Sequence, residues 1–152
     1  IGGFKKTYTR LHPGFLLESD AHRNMAFSVF HAYNTPKLAV GEIEVKEIGG
    51  LTQVTAVVTN DRMIPTHSSQ DVKNNIEIPD VISLSGGTVV AGMIVNNRDM
   101  NITTEQKLDP MNIKVNNIAG NSYVTVRWLV KGGSKFTVSV SSKKGGVASK
   151  TN

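Results

Sequence analysis

From Leu38 onward the apolar residues of this chain recur at every second position, in runs broken by Gly, Asn or Pro. That period sends alternate side chains to opposite faces of an extended strand, and it limits the chain to half-buried sheets. Leu38, Val40, Ile43, Val45 and Ile48 predict a strand over 38–48 with a phase slip near Gly41. Gly49-Gly50 turns the chain into a second strand over 51–59. Val81, Ile82 and Leu84 predict a short strand closed by Gly86-Gly87, and Val89 to Val95 the next. A strand over about 111–118 follows, marked by Ile113 and Val115. Val124, Val126, Trp128 and Val130 alternate with Tyr123, Thr125, Arg127 and Leu129. Lys131-Gly132-Gly133-Ser134 reads as a hairpin turn into a last strand carrying Phe136, Val138 and Val140.

About seven short strands at near-regular spacing predict an antiparallel β-sandwich of immunoglobulin or fibronectin type. Its expected core is Val124, Val126, Trp128, Val130, Phe136, Val138 and Val140, with Trp128 as anchor. There is no Cys, so the disulfide of antibody domains, thiolate metal sites and cysteine nucleophiles are all excluded. Segment 60–80 is polar and rich in Asn, and reads as long loops with Met63-Ile64-Pro65 as a strand edge. The Lys, Gly and Ser tail over about 143–152 has little to bury and is expected to fray.

Before Pro36 the texture is different. Leu17, Ala21, Met25 and Val29 recur at helical spacing, so one helix is expected over about 19–33, with Ser19 or Asp20 as cap. An isolated helix of this length is marginal in water. Its face of Leu17, Ala21, Met25 and Val29 is therefore expected to dock on other protein. The organisation expected is a loop and helix over 1–36, then a β-domain over 37–152.

Catalytic signals are sparse. The four histidines, His12, His22, His31 and His67, fall in no HExxH, HxxE or HxH pattern, and His67 reads as a loop hydrogen-bonder. There is no GxSxG, and the Gly pairs match neither a P-loop nor a dinucleotide fingerprint. The net charge is +5, with lysines gathered at Lys131, Lys135, Lys143, Lys144 and Lys150. They lack the interleaved exposed aromatics of a nucleic-acid surface and read as solvated edge-strand lysines, so no nucleic-acid partner is expected. No apolar run reaches the length of a membrane-spanning helix.

The N-terminal segment carries a resemblance. Ile1-Gly2-Gly3-Phe4, then Pro13-Gly14-Phe15-Leu16-Leu17-Glu18, then the helix, is similar to the last part of a zinc carboxypeptidase catalytic domain. A bacterial branch of that family is closer still, with a β-sandwich appended after the helix. The run from Pro36 to Ile64-Pro65-Thr66-His67 resembles the beginning of that appended domain. The resemblance implies that the general-base glutamate would stand just before Ile1 and the zinc ligands far upstream. No catalytic or metal-ligating residue therefore carries over to this chain, and zinc belongs to the parent domain.

Phe4 and Tyr8 are candidates for lining the parent's substrate groove; packing of the loop is their other role. The chain is expected to be the non-catalytic end of an exported bacterial protein, periplasmic, secreted or at the cell surface. Its partners would be the upstream catalytic domain and a cell-envelope, peptide or glycan polymer. The alternative is a free-standing adhesive or carbohydrate-binding β-sandwich.

Overall fold

The computed structural model describes residues 2–3 and 13–152, so Phe4, Tyr8 and His12 lie outside the described residues. It divides into two compact units, 1–34 and 35–152. The first contains helix α1, Gly14–Tyr33, five residues longer at its start than the spacing of apolar residues predicts. Pro13 occupies the N-cap without a side-chain hydrogen bond, so neither Ser19 nor Asp20 caps it. The helix ends at Asn34, whose side-chain amide donates to the Phe30 carbonyl at 2.9 Å. No residue of α1 is buried.

The second unit is a mainly β sandwich of two antiparallel sheets. Its strands are β1 (Leu38–Ile48), β2 (Leu51–Asn60), β3 (Asp80–Ser85), β4 (Thr88–Asn97), β5 (Ile102–Gln106), β6 (Asn112–Val115), β7 (Ser122–Lys131), β8 (Thr137–Ser142) and β9 (Gly146–Thr151). One sheet runs β1-β2-β7-β4-β5 and the other β6-β3-β8-β9. The phase slip at Gly41 is a bulge, where the β1–β2 register shifts between Val40 and Ile43. Gly49 and Gly50 both hold positive φ, as a two-residue hairpin turn requires.

The inward positions of both sheets meet in one core. Val126, Trp128, Val130, Phe136, Val138 and Val140 are fully buried there, and Val124 packs against it half-buried. Trp128 stands opposite Gly92 on β4. Its indole N–H donates to the Pro110 carbonyl at 3.0 Å. A Cβ at position 92 would come within 2.1 Å of that same carbonyl oxygen. The side chain missing at Gly92 thus admits the backbone that satisfies the buried tryptophan.

Three expectations are corrected, and β5 is a strand that the sequence pattern does not predict. Neither Gly86-Gly87 nor Gly132-Gly133 makes a hairpin, because β3 and β8 belong to one sheet and β4 and β7 to the other. Both are corners where the chain changes sheet, and they pass against each other. Gly86 and Gly133 hold positive φ, and a Cβ on Gly133 would come 2.1 Å from the Gly86 oxygen. The tail forms β9, paired with β8 from Thr137↔Thr151 to Ser142↔Gly146. β5 pairs with β4, although its sequence ITTEQ shows no apolar alternation. Met63-Ile64-Pro65 joins no ladder. It is a loop held by Asn60, whose amide donates to Ile64 O at 2.9 Å and Ala119 O at 3.3 Å.

Candidate functional site

The loop between β2 and β3 carries the densest group of ionisable side chains among the described residues. It contains one short helix, α2, Ser69–Asn74. Ser68 caps it by accepting from Asp71 N–H at 3.1 Å. Asn75, in the left-handed region at φ 49°, ends it. This tight turn lets the Asp71 carboxylate accept from the Glu77 N–H at 2.9 Å.

His67 lies just before the helix and is 3% exposed. Its Nδ1 is 2.9 Å from Asp71 Oδ2 and its Nε2 is 3.2 Å from Asp80 Oδ1. Asp71 and Asp80 are also buried. Lys144, on the β8–β9 turn, places its ammonium 3.2 Å from Asp71 Oδ2 and 3.0 Å from Glu77 Oε2. The Glu77 contact is one of charge, without a directed hydrogen bond. Lys143 approaches Glu77 Oε1 at 3.2 Å. Three carboxylates thus face one histidine and two lysines.

The electrostatics follow from these contacts. Burial pushes the Asp71 carboxyl up, but hydrogen bonds from Glu77 N–H, His67 and Lys144 outweigh it and hold Asp71 below its ordinary value. The adjacent ammonium groups, Lys144 first and then Lys143, hold Glu77 low against the cost of burial. Lys144 is raised in turn, by Glu77 first and Asp71 second.

The ligand atoms of His67, Asp71 and Glu77 lie within 4.8 Å of one another, a spacing that suits a metal ion. The chemistry of the set does not. The Lys144 ammonium already stands between Asp71 and Glu77 where a cation would sit. Both His67 nitrogens are already engaged by carboxylate oxygens of Asp71 and Asp80. The cavity beside the cluster measures about 20 Å³, room for little more than one water. The group works as a staple that fastens the β2–β3 loop to the β8–β9 turn. One oxygen, Asp80 Oδ2, is buried without a partner among the described residues.

A second feature lies on the outer face of the five-stranded sheet. The β4–β5 connection, residues 98–101, folds back over that face. Arg98 Nη2 donates to both carboxylate oxygens of Glu44 on β1, at 2.5 and 2.7 Å. Asn101 accepts from Arg127 of β7 at 2.6 Å. The hydrogen bond from Arg98 holds the Glu44 carboxyl below its ordinary value. Val95 is 7% exposed yet stands apart from the sandwich core, because it is buried beside this strap on the outer face.

The residues singled out in the sequence are distributed differently. Leu17, Ala21, Met25 and Val29 lie along α1, all exposed. His22 and His31 are also exposed on α1, with the Phe27 and His31 rings 6.2 Å apart. Of the described histidines only His67 joins a cluster. Its partners went unnoticed in the sequence, where Ser68-x-x-Asp71 was the one local signal, a helix-capping pattern.

No curated protein matches the chain. Among solved structures, the ASH/PapD-like domain 7 of human CEP192 aligns with it over 78% of this chain and 82% of that one, at 11% identity and a TM-score of 0.31. A family model described as domain of unknown function DUF8731 matches residues 37–152, most of the chain. The chain belongs to that family.

Proposed function

We propose that this chain is the non-catalytic accessory end of an exported zinc carboxypeptidase-like protein, in which the sandwich braces the enzyme or holds it to a polymer. The observation that carries the reading is α1. Within its own unit this helix leaves Phe15, Leu17, Met25, Phe27, Val29, Phe30 and Tyr33 unburied, which is costly in water unless another body covers them. It follows the residues that resemble the closing segment of a peptidase domain, and such a domain would supply that cover. The chemistry of the sandwich supports the non-catalytic part, because its one dense ionisable cluster is spent on internal ion pairs.

In this reading any zinc chemistry, polarising a scissile carbonyl and activating water, would be supplied by the parent domain and not by residues of this chain. Two measurements test it. The longer reading frame should encode an HxxE, a later His, and a Glu immediately before Ile1. The 152-residue chain should release no C-terminal residue from peptides and show no zinc binding by titration calorimetry at micromolar concentration. Peptide turnover, tight one-to-one zinc binding, or a reading frame without those residues would overturn the proposal.

A further inference from the structure

Beneath the β4–β5 strap the outer face of the five-stranded sheet opens into a cleft of about 320 Å³, lined by Val57, Thr59, Val95, Asn96, Arg98, Tyr123 and Thr125. That size falls at the lower end of small-molecule sites, roughly 300–1,000 Å³. A second, shallower depression of about 390 Å³ shares Thr59 and Tyr123 with it and adds Asn60, Asp61, Asn121 and Ser122. Together they run along the sheet face past Tyr123, which is 67% exposed.

The residues come from adjacent strands at fixed register. Thr59 pairs with Tyr123, and Val57 and Val95 flank Thr125 from either side. All belong to the outward phase of β2, β7 and β4, opposite to the phase that fills the core. Asn96 sits at the β4–β5 bulge and donates to Thr104 at 2.7 Å.

We propose that this cleft is a binding site for a neutral polysaccharide chain. The cleft combines a flat exposed aromatic ring, hydroxyl and amide groups, and a small apolar floor of Val57 and Val95. A sugar ring has the matching surfaces, with an apolar C–H face to lie on Tyr123 and hydroxyls at its edge for Thr59, Thr125 and Asn96. The cleft's continuation past Tyr123 into the shallower depression suits a chain rather than a closed small molecule.

Other occupants fit less well. An acidic polymer would need free cations, and the one cation in the cleft, Arg98, is spent on Glu44. An extended peptide adding a strand needs an open sheet edge. This cleft lies over β2, β7 and β4, each already paired on both sides. The inference goes beyond the accessory role and does not depend on a peptidase parent.

The test uses the whole 152-residue chain. It is titrated calorimetrically with soluble neutral polysaccharides (xylan, glucomannan, mixed-linkage β-glucan, pullulan) and mixed with insoluble cellulose and chitin in depletion assays. Polygalacturonate is the acidic comparison. At least one neutral polymer should bind, with an affinity unchanged between low and high salt. Tyr123→Ala should weaken it at least tenfold, and Thr59→Val several-fold, with melting temperatures that match the parent chain. Since Tyr123 is exposed, its truncation leaves the core intact. The proposal fails if no neutral polymer binds, if Tyr123→Ala binds as well as the parent, or if only polygalacturonate binds and salt abolishes it.

Discussion

Trp128 is the only tryptophan of the chain, fully buried, and hydrogen-bonded to Pro110 O. Trp128→Ala removes the largest side chain of the core and leaves that carbonyl without its donor. A fully buried aromatic truncated to Ala costs about 3–5 kcal/mol, and the stranded acceptor about 1 more. Trp128→Phe keeps most of the ring volume and loses the hydrogen bond, so its cost is about 2 kcal/mol. The unfolding entropy typical of a domain this size, 35–152, is about 0.25 kcal/mol/K. The melting temperature should then fall by roughly 16–24 °C for Ala and about 8 °C for Phe. Thermal denaturation followed by far-ultraviolet circular dichroism reads both shifts. Tryptophan emission of the parent chain should be blue-shifted, resistant to iodide, and lost in the same transition. An Ala variant that melts within about 3 °C of the parent would refute the packing argument and with it the assignment of the inward phase of β7.

The ion cluster predicts acid sensitivity. Asp71 and Glu77 have lowered native pKa values, so their contribution is present above the unfolded carboxyl values near 4 and is lost as pH falls through the lower native ones. The urea midpoint should drop between about pH 5 and 3, and Lys144→Met should flatten that drop. Asn60→Asp is nearly isosteric, but it aims carboxylate oxygen at the carbonyls of Ile64, Ile118 and Ala119, and should cost at least about 3 kcal/mol in chemical denaturation. Gly92→Ala should destabilise by a similar amount, about 3 kcal/mol, because its Cβ collides with Pro110 O. Glu44→Gln should speed amide exchange across 98–101 while moving global stability by less than about 1 kcal/mol, as the ion pair with Arg98 is largely solvent-exposed.

The fold was legible wherever burial has a period. Val54, Ala56 and Val58 alternate because β2 lies inside a sheet with one face on the core. β5 and β9 lack such a period for the complementary reason. Both are edge strands with largely exposed residues, held by ladder hydrogen bonds and small side-chain ties such as Thr137 to Thr151 at 2.8 Å. Backbone pairing of that kind leaves no hydropathic trace. A Gly pair reports a sharp turn but not which sheet receives the next strand. Only the contact between Gly86 and Gly133 distinguishes a change of sheet from a hairpin.

The two candidate sites differ in how they could have been found. His67, Asp71, Glu77, Asp80 and Lys144 share no spacing, because a loop and a distant turn bring them together. Apart from the Ser68 cap, nothing local encodes the cluster. Tyr123 could be read from its phase. It alternates against Val124 and Val126, so an exposed aromatic on the outer face follows from the same period that buries Trp128. What the period cannot carry is the backward fold of residues 98–101. That fold depends on Glu44 lying two strands beyond β7, within reach of Arg98 only once β1, β2, β7 and β4 stand side by side. The strap turns an ordinary polar sheet face into a walled cleft. A chain with the same strands but no acidic residue at position 44 would keep the sandwich, and an exposed tyrosine, and would lose one of the two ties that hold the strap down beside it.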